Sequence, residues 1–325
     1  PDFFSTSSRP LFSAEPLVAL LDGLPLEQHQ ALAGRLRVDD PEDLGAEYPA
    51  NFRRHGTAMA SLIIWGDLHR PGEALAQPLY VRPILRPFRQ SVSIDEIPRE
   101  RVADDALIVD LIHRAVVRIF DGEGNQPPAA PSVKVINLSI GIDDRPFLHS
   151  LSPLARLLDW LAWKYQVLFV VSAGNVKEAI PLDQPWGEIA NQPLEDIQQA
   201  ALKAIAADTR NRRLLSPAET INGLTVAASH HDEGEPVDWP HWMDPAPAGF
   251  PSPYNRHGPG YRRALKPDLL APGGRAVFRK PELASNQNLR IVDHPNAPGQ
   301  CVAADRKSTR LNSSHEWISR MPSSA

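Results

Sequence analysis

Leu17-Val18-Ala19-Leu20-Leu21-Asp22-Gly23 decides how the fold of this chain is read. Five apolar residues in unbroken succession leave no face for water. A strand built from them is buried on both sides, as in a parallel sheet covered by helices. The run stops at a carboxylate, and the carboxyl ends of strands are where ligands collect in open α/β sheets. Asp22 is therefore either a turn or helix cap, or a site carboxylate. Further strand patterns follow at Pro78 to Ile84, Val133 to Gly141, Val167 to Val171 and Leu224 to Ala228. Helical patterns lie between them. Ile108, Leu111, Ile112, Ala115, Val116 and Ile119 recur at helical spacing within 102–120. Ser152-Pro153 reads as an N-cap and first helical residue, opening a helix with Leu154, Leu157, Leu158, Leu161 and Tyr165 on one face. Residues 27–50 and 230–262 read as loops, and 176–219 as an insertion with a polar helix near 194–206. Strand alternating with helix predicts an α/β fold: a doubly wound, mainly parallel sheet with helices on both faces.

A chain of 325 residues has length enough for one large domain of this kind. Its 42% hydrophobic and 22% charged residues are ordinary for a globular protein. A net charge of −5 argues against a general binder of nucleic acid or anionic membranes. No apolar run approaches the ~20 residues of a membrane helix. Cys301 is the single cysteine, so neither an intrachain disulfide nor a thiolate metal cage is available. That usage fits a reducing compartment such as the cytoplasm. The expected domain covers 1–304. From Asp305 the chain turns rich in Ser and Arg without strand or helix periodicity, and 305–325 is expected to be a disordered or non-native tail.

Arg54-His55-Gly56-Thr57-Ala58-Met59-Ala60-Ser61-Leu62-Ile63-Ile64-Trp65-Gly66 opens a helix with an imidazole. Small residues keep one face narrow, and Leu62, Ile63 and Trp65 supply a core-facing anchor. A histidine fixed there suits a general base, or else caps and fills the start of a core helix. Asn175 follows the strand Val167 to Val171, either as a left-handed turn residue or as a polar group facing the site. Asp22, His55 and Asn175 thus stand where three buried elements meet solvent. A carboxylate that accepts from imidazole Nδ1 leaves Nε2 free as a base. An amide N–H can donate to a developing oxyanion. Two rival constellations are weaker. Ser172 with Asp268 and His294 would make an α/β-hydrolase, but Val170 crowds the position where a nucleophile elbow needs a small residue. His230, His231, Asp232 and His241 lack zinc-motif spacing and read as a solvated loop, so no metal site is expected.

Asp22-Gly23, His55-Gly56-Thr57-Ala58-Met59-Ala60, Ile136-Asn137-Leu138-Ser139-Ile140-Gly141, Val170-Val171-Ser172-Ala173-Gly174-Asn175 and Lys266-Pro267-Asp268-Leu269-Leu270-Ala271-Pro272-Gly273 together resemble the subtilisin-like serine proteases, the subtilases. The resemblance covers about Pro16 to Gly274 and keeps the family's order. It implies serine endopeptidase chemistry with Asp22 orienting the base, His55 as the base and Asn175 as oxyanion donor. It also implies that Ser139, Ile140 and Gly141 form an edge that pairs with an extended polypeptide substrate. The chemistry needs no cofactor. Many subtilases bind structural calcium, but no carboxylate cluster here suggests a ligand set. Two departures stand out. The family usually shows Asp-Ser/Thr-Gly where Gly23 follows Asp22 directly. The nucleophile segment, Gly-Thr-Ser in the family, occurs nowhere, and Ser313 and Ser314 lack its flanking small residues. The chain as it stands is expected to be inactive, with a non-catalytic peptide-binding protein as the alternative.

Overall fold

The computed structural model describes residues 14–88, 99–176, 178–234, 240–280, 289–291, 299–303 and 308–311. A seven-stranded sheet carries the site. It comprises β1 (Val18–Asp22), β2 (Leu36–Val38), β3 (Leu79–Pro83), β4 (Val135–Leu138), β5 (Leu168–Ser172), β6 (Leu224–Ser229) and β7 (Leu269–Pro272). Their spatial order is β7-β6-β5-β4-β1-β3-β2, and every neighbouring pair is parallel. From β1 the chain passes to the edge strand β2, returns to β3 between the two, and then crosses to the other side of β1 to run outward through β4, β5, β6 and β7. β1 is thus the switch point, and Asp22 is its last residue.

Alternation along β1 assigns its residues to two cores. Ala19 and Leu21 pack with Ile136, Leu138, Phe169 and Val171 beneath α2 (Ile108–Phe120) and α3 (Pro153–Tyr165). Leu20 points the other way, joining Leu79, Val81 and the residues Ala60 and Ile64 of α1 (His55–Trp65). A strand covered on both faces needs a continuous apolar run, which Val18 to Leu21 provide, whereas Leu17 precedes the strand and is exposed. Beyond them α4 (Leu194–Ala207) packs Ile197, Ala201 and Ala204 against Ala228, Tyr254 and Phe278. The start of α3 is capped as its sequence predicts: Ser152 Oγ accepts from Ala155 N at 3.1 Å, and Pro153 is the first helical residue.

Three segments differ from expectation. The loop 27–50 contains β2, whose three residues form a ladder with β3. A strand so short carries too little periodicity to show in sequence. The loop 230–262 contains Trp242–Met243, paired antiparallel with Phe278–Arg279. Within the expected structureless tail, Ser308–Leu311 pairs antiparallel with Gln300–Ala303. A ladder is made by backbone groups and needs no side-chain pattern. Ser313 and Ser314 lie outside the described residues.

Leu20 is fully buried at the centre of the sheet. Leu20→Ala is expected to lower the unfolding free energy by about 2–5 kcal/mol, read from urea denaturation midpoints. A loss below about 1 kcal/mol would place Leu20 outside the cooperative core.

Candidate active site

Asp22 and His55 meet where β1 ends and α1 begins. The approach depends on two glycines. A Cβ on Gly56 would stand 2.0 Å from the carbonyl oxygen of Gly23, so α1 can reach the end of β1 only because Gly56 has none. With the helix in place, His55 Nδ1 lies 2.5 Å from Asp22 Oδ1, and the same oxygen accepts from Gly23 N at 2.6 Å. An ionised carboxylate can only accept, so Nδ1 carries the proton and Nε2 is the basic nitrogen. Both side chains are buried, Asp22 at 0% and His55 at 3% exposure. Neither His55 Nε2 nor Asp22 Oδ2 has a hydrogen-bond partner among the described residues. Burial pushes the imidazole pKa down. The charge and hydrogen bond of Asp22, with the charge of Glu100, outweigh it and hold His55 above its ordinary 6.5.

His55 is therefore more than a cap; the capping is done by a residue the sequence did not disclose. Arg54, at the N-cap, makes no side-chain capping bond. Instead Glu100 Oε2 accepts from the backbone N–H of Arg54 at 3.1 Å and of His55 at 2.6 Å. The other Glu100 oxygen accepts from the hydroxyl of buried Tyr48. Burial pushes the Glu100 carboxyl up to about 7, even though His55, the Tyr48 hydroxyl and the His55 N–H all favour its charged form. Glu100 stands 45 residues from His55 in a run of charged residues, with no motif spacing to link them. The expected anchor faces the core: Ile63 and Trp65 pack against the cluster of Ala60 and Ile64, and Leu62 against Ala58 and Val302. Among these, Ala60 and Ile64 are buried, and Leu62, Ile63 and Trp65 are half-buried. Trp65 Nε1 donates to Ala31 O at 2.7 Å.

On the far side of α1 a cavity of about 190 Å³ opens over the carboxyl ends of β4 to β7. Met59 and Leu62 of α1 line one side, and Ser139, Gly174 and Asn175 line another. Asn175 is buried, and its Nδ2 has no partner among the described residues. Its carbonyl is held by Arg256 Nε at 2.8 Å. The left-handed residue of this turn is Gly174, with φ 92°, and not Asn175. Ser139, Ile140 and Gly141 are all buried. Ser139 Oγ donates to Asn137 Oδ1 at 2.9 Å, and Ile140 enters the core. The side chain of Leu215 occupies the space between Gly141 and Gly174, where added Cβ atoms would meet it at 3.3 Å and 2.8 Å.

The structure separates the rival constellations. Ser172 ends β5, whereas Asp268 precedes β7 at the opposite, amino end of the sheet, paired with Lys266 Nζ at 2.6 Å and Thr225 N at 2.7 Å. His294 lies outside the described residues. The loop histidines are not uniformly solvated. His230 is buried against Asp244, at 3.3 Å, while His231 and His241 are exposed. Asp232 is buried and bound by Arg275. Among the described residues no group of three or more His, Cys, Asp or Glu side chains is placed to hold a metal ion.

The folded pKa of His55 lies above its unfolded value, so protonated His55 stabilises the fold. That stabilisation is fully present below 6.5 and is lost as pH rises through the folded pKa. Asp22→Asn is expected to lower the His55 titration midpoint by about 1–3 units, followed by NMR of the imidazole. An unchanged midpoint would show that Asp22 does not hold the ring.

The uncharacterized protein y4bN of Sinorhizobium fredii is 33% identical over 127 residues, a stretch that spans 38% of this chain and 27% of that protein. Among solved structures, the prenylagaramide maturation protease PagA is 18% identical with a TM-score of 0.39, covering 89% of this chain and 72% of that one. The epidermin leader peptide processing serine protease of Staphylococcus aureus is 14% identical with a TM-score of 0.38, covering 84% and 57%. The sequence profile of the subtilase family matches residues 13–305. Because that match takes in Asp22, His55 and Asn175 together with every strand of the sheet, the chain belongs to the subtilase family of peptidases.

Proposed function

We propose that this is the base-bearing part of a subtilisin-type serine peptidase centre that acts on polypeptides. One observation carries the proposal: Nδ1 of a buried histidine is tied to Asp22 at 2.5 Å while Nε2 is buried with no partner among the described residues. One ring nitrogen is committed and the other is available. Nε2 takes the proton of an attacking serine hydroxyl and later returns it to the leaving amine. Asp22 keeps the Nδ1 proton and stabilises the imidazolium formed between those steps. Asn175 Nδ2 donates to the carbonyl oxygen as it becomes negative. The substrate backbone runs along Ser139–Gly141. The chemistry requires no cofactor.

The nucleophile is the missing part of this account. No Gly-Thr-Ser segment occurs in the 325 residues. With no such segment to present a serine hydroxyl to His55, the 325-residue polypeptide by itself is expected to be inactive. The same absence favours a second reading, a peptide-binding protein without turnover.

Casein hydrolysis separates these outcomes. The purified 325-residue chain is expected to release no fragments, and release abolished by His55→Ala would overturn its inactivity. A longer polypeptide that joins this chain to a serine segment is expected to cleave casein. There His55→Ala should lower kcat by about 10⁶ and Asp22→Asn by about 10⁴, as losses of the corresponding residues do in subtilisin. Cleavage indifferent to His55→Ala would overturn the assigned role, and peptide binding without cleavage would favour the second reading.

A further inference from the structure

We propose that Glu100 is a positioning residue for His55: it fixes the start of α1 and, through its charge, sets the pH above which the imidazole is available as a base. The inference rests on the reading of His55 as that base and adds a second carboxylate to its surroundings. Three observations converge on Glu100. Its Oε2 binds the N–H of Arg54 and of His55, the first two amides at the start of the helix. The His55 N–H has no carbonyl partner within the helix, the Arg54 N–H is shared with the carbonyl of Phe52 at 2.8 Å, and the positive end of the helix dipole favours an anion there. Its Oε1 accepts from Tyr48, a hydroxyl buried in the cluster of Leu24, Tyr48 and Phe52. Third, the space it fills is reserved for it. A Cβ on Gly23 would lie 2.0 Å from Glu100 Oε1 and 2.8 Å from the Tyr48 hydroxyl.

The groups facing Glu100 are His55 from α1, Asp22 from the end of β1 and Tyr48 from the turn before α1. Arg53, the neighbouring cation, directs its guanidinium to the carbonyls of Tyr48 and Gly45. His55 is therefore held between two carboxylates. Asp22 binds its ring nitrogen, whereas Glu100 binds its backbone and acts on the ring through charge. Burial pushes Glu100 up to about 7, into the range in which an imidazole titrates. Below that pH Glu100 is neutral and caps the helix without a field. Above it, the ionised carboxylate strengthens the hold of the ring on its proton. The two groups titrate as a coupled pair.

The test follows the His55 ring and the Glu100 carboxyl by NMR against pH in the full chain. Glu100→Gln keeps an acceptor oxygen for the two amides but removes the charge. It is expected to lower the His55 midpoint by about 1 unit with the fold retained by circular dichroism. A midpoint within about 0.2 units of the parent would reduce Glu100 to a helix cap and overturn the proposal. Should Glu100→Gln fail to fold, the unmodified chain decides. A two-step His55 titration, one step coinciding with Glu100, supports the coupling; a single step independent of Glu100 overturns it. Asp22→Asn is the separate arm for the base reading. If it leaves His55 unmoved, the orienting role of Asp22 fails whatever Glu100 does.

Discussion

The contact between Asp22 and His55 is the constraint around which the site is arranged. It joins the last residue of the central strand to the first residue of a helix that packs on that strand. Burying a carboxylate costs several kcal/mol unless charge or hydrogen bonds compensate. Asp22 meets that cost with an imidazole at 2.5 Å and a backbone N–H at 2.6 Å, and the imidazole gains a defined tautomer in return. Neither partner can leave without stranding the other's buried polar atoms. The pair thus acts with the close approach of Gly56 to the Gly23 carbonyl in setting how α1 sits against β1.

The sheet converts that local contact into a site. Parallel strands place all their carboxyl ends on one edge, and β1, β4 and β5 are consecutive neighbours. At a spacing of about 4.8 Å per strand, the ends carrying Asp22 and leading to Asn175 lie roughly 10 Å apart in the sheet. That is a distance side chains and a peptide can bridge. Ser139 follows the strand between them, and α1 leans over the gap with Met59 and Leu62. His55 and Asn175 approach from different layers, the first on a helix and the second just beyond the end of a strand.

Much of this was legible in sequence because the physical signals were local. A run such as Leu17 to Leu21 has only one comfortable environment. The Ser152-Pro153 pair states where its helix begins, and the ordered segments around Asp22, His55 and Asn175 identify the family. What stayed hidden was set by contacts distant in the chain. Glu100 reaches its helix across 45 residues, and nothing in the local sequence of either partner records the meeting. The burial of His230 depends on Asp244 and on the turn around Phe250, not on the polar composition of its loop. Strand β2 exists because β3 offers it an edge. Leu215 carries no signal in sequence because the glycines it packs against, Gly141 and Gly174, come from two other segments.

Gly23 and Gly56 lend themselves to a different kind of statement, about which sequences this fold admits. At 56 the obstacle to a side chain is backbone, the carbonyl of Gly23; at 23 it is the end of a side chain, Glu100. The first cannot yield without moving the helix and breaking the His55 contact. The second yields only if residue 100 shortens or turns away and the Tyr48 hydroxyl, 2.8 Å from the same point, also gives way. Position 56 is therefore closed to a side chain wherever this packing is kept, while position 23 opens only when residues 48 and 100 change with it: a side chain after the aspartate in exchange for a smaller pair behind the histidine.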